Sequence, residues 1–360
     1  MIDTPTETPK VKLPVANLRN IALSIALGIA GGWVFYSLSL PLPWMLGAMA
    51  ATCVAAVLGL PMVISKYLRH IMIAVIGVLL GSAFTPALTS QILQWTLSLT
   101  VLAIFLLMLA IIIPWCLQRA GYDRPTAFFS ALPAGLTEMT AVGSENGGNP
   151  HIIALTHTVR ILIVAFTIPF LMVLFAGYER SETLTVATFE ISTVDIAMLT
   201  ACAVVGLWLG IRFRFPAGSL AGPLALSAVV HVSGLTASSP PDSLVAIAQV
   251  VLGTSVGSRF TGLTIATMKK TLALAVAVTL GMLALSGTGA VLLAPVLEIH
   301  PMALMLALTP GGVTEMSLMA LALNQDIAFV TTHHLVRIGL IVMIAPVTFA
   351  AYQRLHGDKN

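Results

Sequence analysis

Apolar runs separated by short polar or basic connections occupy the chain from residue 18 to residue 350. Most are close to the ~20 residues that carry a helix across ~30 Å of hydrocarbon. A lipid-facing backbone must satisfy its own hydrogen bonds, so runs of this length predict helices. Spanning helices are expected at 18–38, 44–60, 68–84, 91–118 and 150–176, and again at 193–213, 219–236, 243–260, 270–294 and 327–350. In each series a shorter, interrupted segment precedes the last helix, at 126–142 and at 302–323. The tail 1–17 is polar and carries Lys10 and Lys12. The apolar run after it lacks a small-x-small cleavage site followed by a polar mature start, and is expected to be a retained helix.

The two series repeat in residues as well as in pattern. Pro133-Ala134-Gly135-Leu136-Thr137-Glu138-Met139 recurs as Pro310-Gly311-Gly312-Val313-Thr314-Glu315-Met316. A His follows each Glu by 19 residues (His157, His334) and an Arg by 22 (Arg160, Arg337). Gly31-Gly32-Trp33 answers Gly206-Leu207-Trp208, and Gly47 and Gly59 answer Gly222 and Gly234. Gly77-x-x-x-Gly81-Ser82-x-Phe84-Thr85 answers Gly253-x-x-x-Gly257-Ser258-x-Phe260-Thr261. An offset that drifts only from 175 to 177 marks an internal duplication. It divides the chain into a tail (1–17), a first membrane repeat (18–178), a linker (179–192), a second repeat (193–353) and a tail (354–360). The Gly-x-x-x-Gly pairs are expected to serve close helix packing.

Composition agrees. The chain is 58% hydrophobic and 9% charged, with mean hydropathy +0.99, where soluble domains carry roughly 25% charged residues. The net charge of +3 is no sign of nucleic-acid binding, because the positive residues fall mostly in tails and connections, where orientation explains them. In the N-terminal tail and the first repeat they are Lys10, Lys12, Arg19, Lys66, Arg69, Arg119 and Arg124. In the second repeat and the C-terminal tail they are Arg212, Arg214, Arg259, Lys269, Lys270, Arg354 and Lys359. If all are cytoplasmic, the repeats are inverted, both termini are cytoplasmic, and the acidic linker with Glu179, Arg180, Glu182 and Glu190 faces out. Inversion needs an odd number of crossings per repeat. Five crossings each, ten in all, follow if the interrupted segments are re-entrant or broken helices. Cys53, Cys116 and Cys202 have no metal-finger or disulfide-framework spacing and are expected to be small core residues. The Met residues read as core filling.

The expected fold class is therefore all-α and polytopic, two inverted repeats of five spanning helices, each with a broken segment carrying Pro-x-Gly-x-Thr-Glu-Met. Paired interrupted segments in inverted repeats point to the binding site of a secondary transporter. The candidate binding residues are Pro133, Gly135, Thr137, Glu138, His157 and Arg160, with Pro310, Gly311, Gly312, Thr314, Glu315, His334 and Arg337. Each intramembrane charge costs about 2.5–3.5 kcal/mol at a helix centre, so the two Glu and two Arg are expected to pair. Two compatible readings follow. In one, Glu and Arg clip each broken segment to the next helix, as buried ion pairs do. In the other, the tips form one solvated cavity in which backbone N–H groups and Arg hold an anion and Glu or His exchanges protons or positions a cation. His333 and His151 lack counterparts, facing Thr156 and Ala328. His70, His231, His300 and His356 are expected at the interface. No tight His-x-His or Glu-x-x-His set occurs, so neither a metal nor another cofactor is expected.

The paired Pro-x-Gly-x-Thr-Glu-Met…His-x-x-Arg motifs and the Gly-Ser-x-Phe-Thr repeats resemble the AbrB family of duplicated bacterial membrane proteins, over roughly 18–350. That family is distinct from the soluble DNA-binding regulator of the same name. Its members carry the labels ammonia monooxygenase and regulator of gene expression, and it is grouped with the cation:proton antiporter and anion-transporter folds. Of these implications the transporter label agrees best with the residues. The expected function is secondary transport of a small polar or anionic solute at the repeat interface. Ammonia monooxygenase-type oxidation and indirect regulation of gene expression are the alternatives. The partners to expect are the lipid bilayer of a bacterial inner membrane, the solute, H+ or Na+, and a second copy of the chain.

Overall fold

The computed structural model describes residues 15–86, 88, 95–176, 192–262 and 265–356. The terminal charges Lys10, Lys12 and Lys359, and Glu179, Arg180, Glu182 and Glu190 of the linker, lie outside them, as does the start of the run 91–118. The described residues contain no strand. Their helices are α1 (Val15–Ser37), α2 (Pro43–Val57), α3 (Lys66–Ser82), α4 (Trp95–Arg119), α5 (Arg124–Ala131), α6 (Leu136–Glu145) and α7 (Pro150–Ala176). There follow α8 (Thr193–Arg212), α9 (Gly218–Val232), α10 (Asp242–Gly257), α11 (Ile265–Leu297), α12 (Pro301–Leu308), α13 (Val313–Ala322) and α14 (Ile327–His356). Six described helices are long and apolar enough to cross a membrane. Their surfaces are apolar outward too, with Trp33, Ile111, Trp208 and Val296 among the exposed side chains.

The helices sort into two bundles that cut across the sequence repeats. α1, α2, α3, α8, α9 and α10 pack on one another, and α4–α7 with α11–α14 form the second group. Close backbone approach builds the first. A Cβ on Gly31 would strike the carbonyl oxygen of Gly47, and one on Gly47 that of Gly31, so α1 and α2 touch main chain to main chain. Gly206 and Gly222 do the same for α8 and α9. The halves are then joined reciprocally. Gly77 and Gly81 of α3 lie against Leu220, Leu224 and Ser227 of α9, while Gly253 and Gly257 of α10 lie against Met45, Met49 and Thr52 of α2. Small residues allow such contacts where lipid offers no hydrophobic drive for helix association.

The interrupted segments are helical hairpins. Leu132 is extended (φ −66°, ψ 124°), as the residue before a proline prefers, and Gly135 is extended too (φ −60°, ψ 133°). Thr309 (φ −62°, ψ 133°) and Gly312 (φ −73°, ψ 146°) repeat the break. Tight turns cross both prolines, with Ala134 N–H donating to Leu132 O at 2.9 Å and Gly311 N–H to Thr309 O at 2.8 Å. The chain then returns toward its start: Asn149 N–H, beyond α6, donates to Thr126 Oγ1 in the first turn of α5 at 2.7 Å.

His231 lies in the last turn of α9. It is buried, with its ring nitrogens on the carbonyls of Ser227 (2.7 Å) and Ser238 (2.9 Å). Cys116 is exposed on α4, not a core residue; Cys202 is buried. A helix side in contact with lipid is apolar as well, so composition cannot separate it from a core side.

Candidate functional site

Breaking a helix leaves orphan groups of opposite kinds on either side. The first half-helix ends in carbonyls without N–H partners, and the second begins with N–H groups without acceptors. The protein treats the two differently. Behind each break, His and Arg from the next long helix satisfy the carbonyls. His157 Nε2–H donates to Phe129 O at 2.9 Å, and Arg160 reaches Leu132 O at 3.4 Å. His334 Nε2–H donates to Leu306 O at 2.9 Å, and Arg337 donates to Thr309 O at 2.6 Å and to Gly311 O at 2.5 Å. His157 Nδ1 then accepts from Arg160 Nη2 at 2.8 Å. His334 Nδ1 has no partner among the described residues. Cationic side chains are favourable at helix C-termini.

This corrects the expected Glu–Arg pairing. Each broken segment is fastened to the following helix, but through main-chain carbonyls. Among the described residues, neither Glu138 nor Glu315 is a hydrogen-bond partner of Arg160 or Arg337. Carbonyl partners leave no trace in side-chain identity, and two of each charge suggested neutralisation instead.

In front of the breaks, both tips meet in one cavity of about 370 Å³. Gly135, Thr137, Glu138 and Arg160 line it from the first repeat, and Pro310, Gly311, Gly312, Thr314, Glu315 and Arg337 from the second. Pro133 is buried and does not line it. His157 and His334 are fully buried behind the arginines and do not line it either. That corrects their expected place at a solvated face: they hold carbonyls. The opposite wall comes from the other bundle, with Arg69, His70 and Ile73 on α3, Ala217–Leu220 at the start of α9, and Arg259 just past α10. The cavity therefore lies between the bundles.

Arg69, His70 and Arg259 were not anticipated here. Charges near run ends read as orientation signals, and His70 as interfacial. One sign was present: Arg259 stands inside the repeated Gly-Ser-x-Phe-Thr stretch where the first copy has Ala83. Four arginines face two glutamates in the cavity, a net of +2 with His70 neutral. Arg160 Nε, Arg337 Nε and Arg259 Nη1 are buried without a hydrogen-bond partner among the described residues. Two helix N-termini, those of α6 and α13, open onto the same space. Unused donors and surplus positive charge suit an anion. Among the described residues no three of His, Cys, Asp and Glu come together.

Fold and site together define a helical membrane protein with a basic cavity between two bundles. The chain belongs to the AbrB family. Residues 44–353 match the family model described as Transition state regulatory protein AbrB. It is similar to "Uncharacterized protein YhjN" of Bacillus subtilis (strain 168), 25% identical over 368 residues that cover 96% of each chain. It is also similar to "Putative regulator AbrB" of Escherichia coli (strain K12), 24% identical over 328 residues, 90% of this chain and 92% of that one. No solved structure matches it.

Proposed function

We propose that the protein is a secondary transporter of a small anionic solute, coupled to H+ or Na+, with its site at the interface of two inverted membrane repeats. The observation that carries this reading is one cavity lined by two helix N-termini and by four arginines against two glutamates. Half-helix N-termini aimed at an anionic substrate group are how transporters of this build hold solute. The direction of corresponding helices supports inversion. Arg69 sits near the start of α3 and Arg259 just after the end of α10, yet they line the same cavity. The hairpins are then re-entrant and each repeat crosses five times. By the positive-inside rule the Arg69–Arg259 wall is cytoplasmic. A separate pocket of about 660 Å³, lined by Trp95, His300, Asn324 and Asp326 at the open ends of the α12–α13 hairpin, then faces out. Solute would pass by movement of one bundle against the other.

Transport is tested with the purified full chain in liposomes, by uptake of radiolabelled small carboxylates under imposed proton and sodium gradients. Gradient-dependent uptake that is lost on the substitution Arg337→Ala is the expected result; no uptake of any anion under any gradient would remove the reading. Glu138→Gln and Glu315→Gln are expected to fold normally and to lose roughly a hundredfold in uptake, the low end of what a proton-exchanging group contributes. Normal flux in both variants would remove the proton-exchanging role of the glutamates.

Topology has its own test. A thiol introduced at Ser181 is expected to react with an impermeant reagent added outside, and one at Asn360 is not. Labelling of Asn360 alone would overturn the inverted arrangement.

A further inference from the structure

The glutamates lie in an unusual place. A Cβ built on Gly135 would collide with Glu138 Oε2 and come within 2.7 Å of its carboxyl carbon. On Gly312 it would collide with Glu315 Oε2, again 2.7 Å from the carboxyl carbon. Each carboxylate thus folds back over the N-terminus of its own helix, where Gly135 and Gly312 are the capping residues. That is where unpaired N–H groups and the positive end of the helix dipole attract an anion. Both glutamates are only partly buried, and both line the cavity. Around them stand Arg69, Arg160, Arg259 and Arg337, with His70 on the facing wall. Arg259 is within electrostatic reach of Glu315. Both helix N-termini in the cavity are therefore overlaid by the protein's own carboxylates, at matching positions in the two halves, while Arg160 Nε, Arg337 Nε and Arg259 Nη1 are buried without a hydrogen-bond partner among the described residues.

We infer that Glu138 and Glu315 are built-in competitors of the substrate, occupying the two seats that its own carboxylates take, and that the substrate is a small organic dianion. The inference rests on the anion-transport reading of the same cavity. To bind, the ligand displaces both side chains, which swing aside on their two-carbon stems. A dianion places one charged group at each helix N-terminus. A monoanion of the same length satisfies one seat and leaves the other to its glutamate.

The experiment is calorimetric titration of the purified full chain with succinate, butyrate and inorganic phosphate, with thermal stability measured on the same samples. Wild type is expected to bind succinate more tightly than butyrate or phosphate. Glu138→Ala and Glu315→Ala vacate a seat, and each is expected to tighten succinate binding about tenfold, the gain if the seat is otherwise free one tenth of the time. Gly135→Ala and Gly312→Ala act in the opposite direction. Their backbone angles suit alanine, and the first obstacle is the flexible end of a side chain, so they should fold. Their methyl group fills the seat, and succinate binding should weaken about tenfold or more. Unchanged or weaker binding in the glutamate variants, or unchanged binding in the glycine variants, would overturn the competitor role. Butyrate or phosphate bound as tightly as succinate would overturn the dianion assignment. Wild type and variants that bind none of the three anions would overturn the anion-transport reading itself, a result distinct from the other two.

Discussion

Arg337→Ala is expected to abolish uptake and to destabilise the protein by roughly 3 kcal/mol, since a buried carbonyl stripped of its donor costs about 1–3 kcal/mol and Arg337 serves two, Thr309 O and Gly311 O. Arg337→Lys should recover part of the stability and little of the uptake, because one ammonium cannot span both carbonyls as a guanidinium fork does. Arg160→Ala should be milder. Arg160 holds Leu132 O at only 3.4 Å, beyond the usual range for such bonds, and its other partner is the His157 ring. Thermal inactivation midpoints in detergent, measured beside uptake, decide the matter. Equal losses in the two alanine variants, or an Arg337→Ala protein as stable as wild type, would contradict the assigned carbonyl roles.

A single methyl group should be nearly as damaging at Gly47. There a Cβ meets the Gly31 carbonyl oxygen, Gly31 C at 2.6 Å and Gly32 Cα at 2.8 Å. All three are main-chain atoms that cannot turn away, so α1 and α2 must move apart. Overpacking of this kind costs about 1–3 kcal/mol, more than the ~1 kcal/mol that alanine gains over glycine within a helix. Gly47→Ala should therefore lower the yield of folded protein and its melting midpoint. Gly281→Ala in α11 is the control, because nothing lies within 4 Å of its Cβ position and the substitution should be neutral or slightly stabilising. A Gly47→Ala variant as stable as Gly281→Ala would show that the helices are not in main-chain contact.

Much of this was legible in the residues. Uniformly apolar runs gave most helix positions to within a few residues, as for 150–176 against Pro150–Ala176 or 193–213 against Thr193–Arg212. Pro-x-Gly and Pro-Gly-Gly stopped helices because they remove a donor and relax the backbone, and the chain breaks there. The partners of Arg160, Arg337, His157 and His334 were not legible, because the atoms they hold are carbonyls that every residue carries. Nor could α3 and α10 be placed beside the hairpin tips. Arg69 and Arg259 look, in one dimension, like any other charge at the end of an apolar run. The two-bundle arrangement escaped as well, since it gathers the first three helices of both halves and so runs across the repeat.

The one-sided placement of Arg259 has a consequence for how a ligand lies. A cavity built from two matching halves would, in a strictly symmetric assembly, accept a guest equally well in either of two orientations. Arg259 has Ala83 as its counterpart, so corresponding positions differ between the halves. Each half supplies two arginines, Arg69 and Arg160 from the first and Arg259 and Arg337 from the second, but Arg69 stands near the start of α3 and Arg259 just past the end of α10, so the two halves of the wall are not equivalent. On the proposed reading, a guest with unlike ends is expected to favour one of the two orientations.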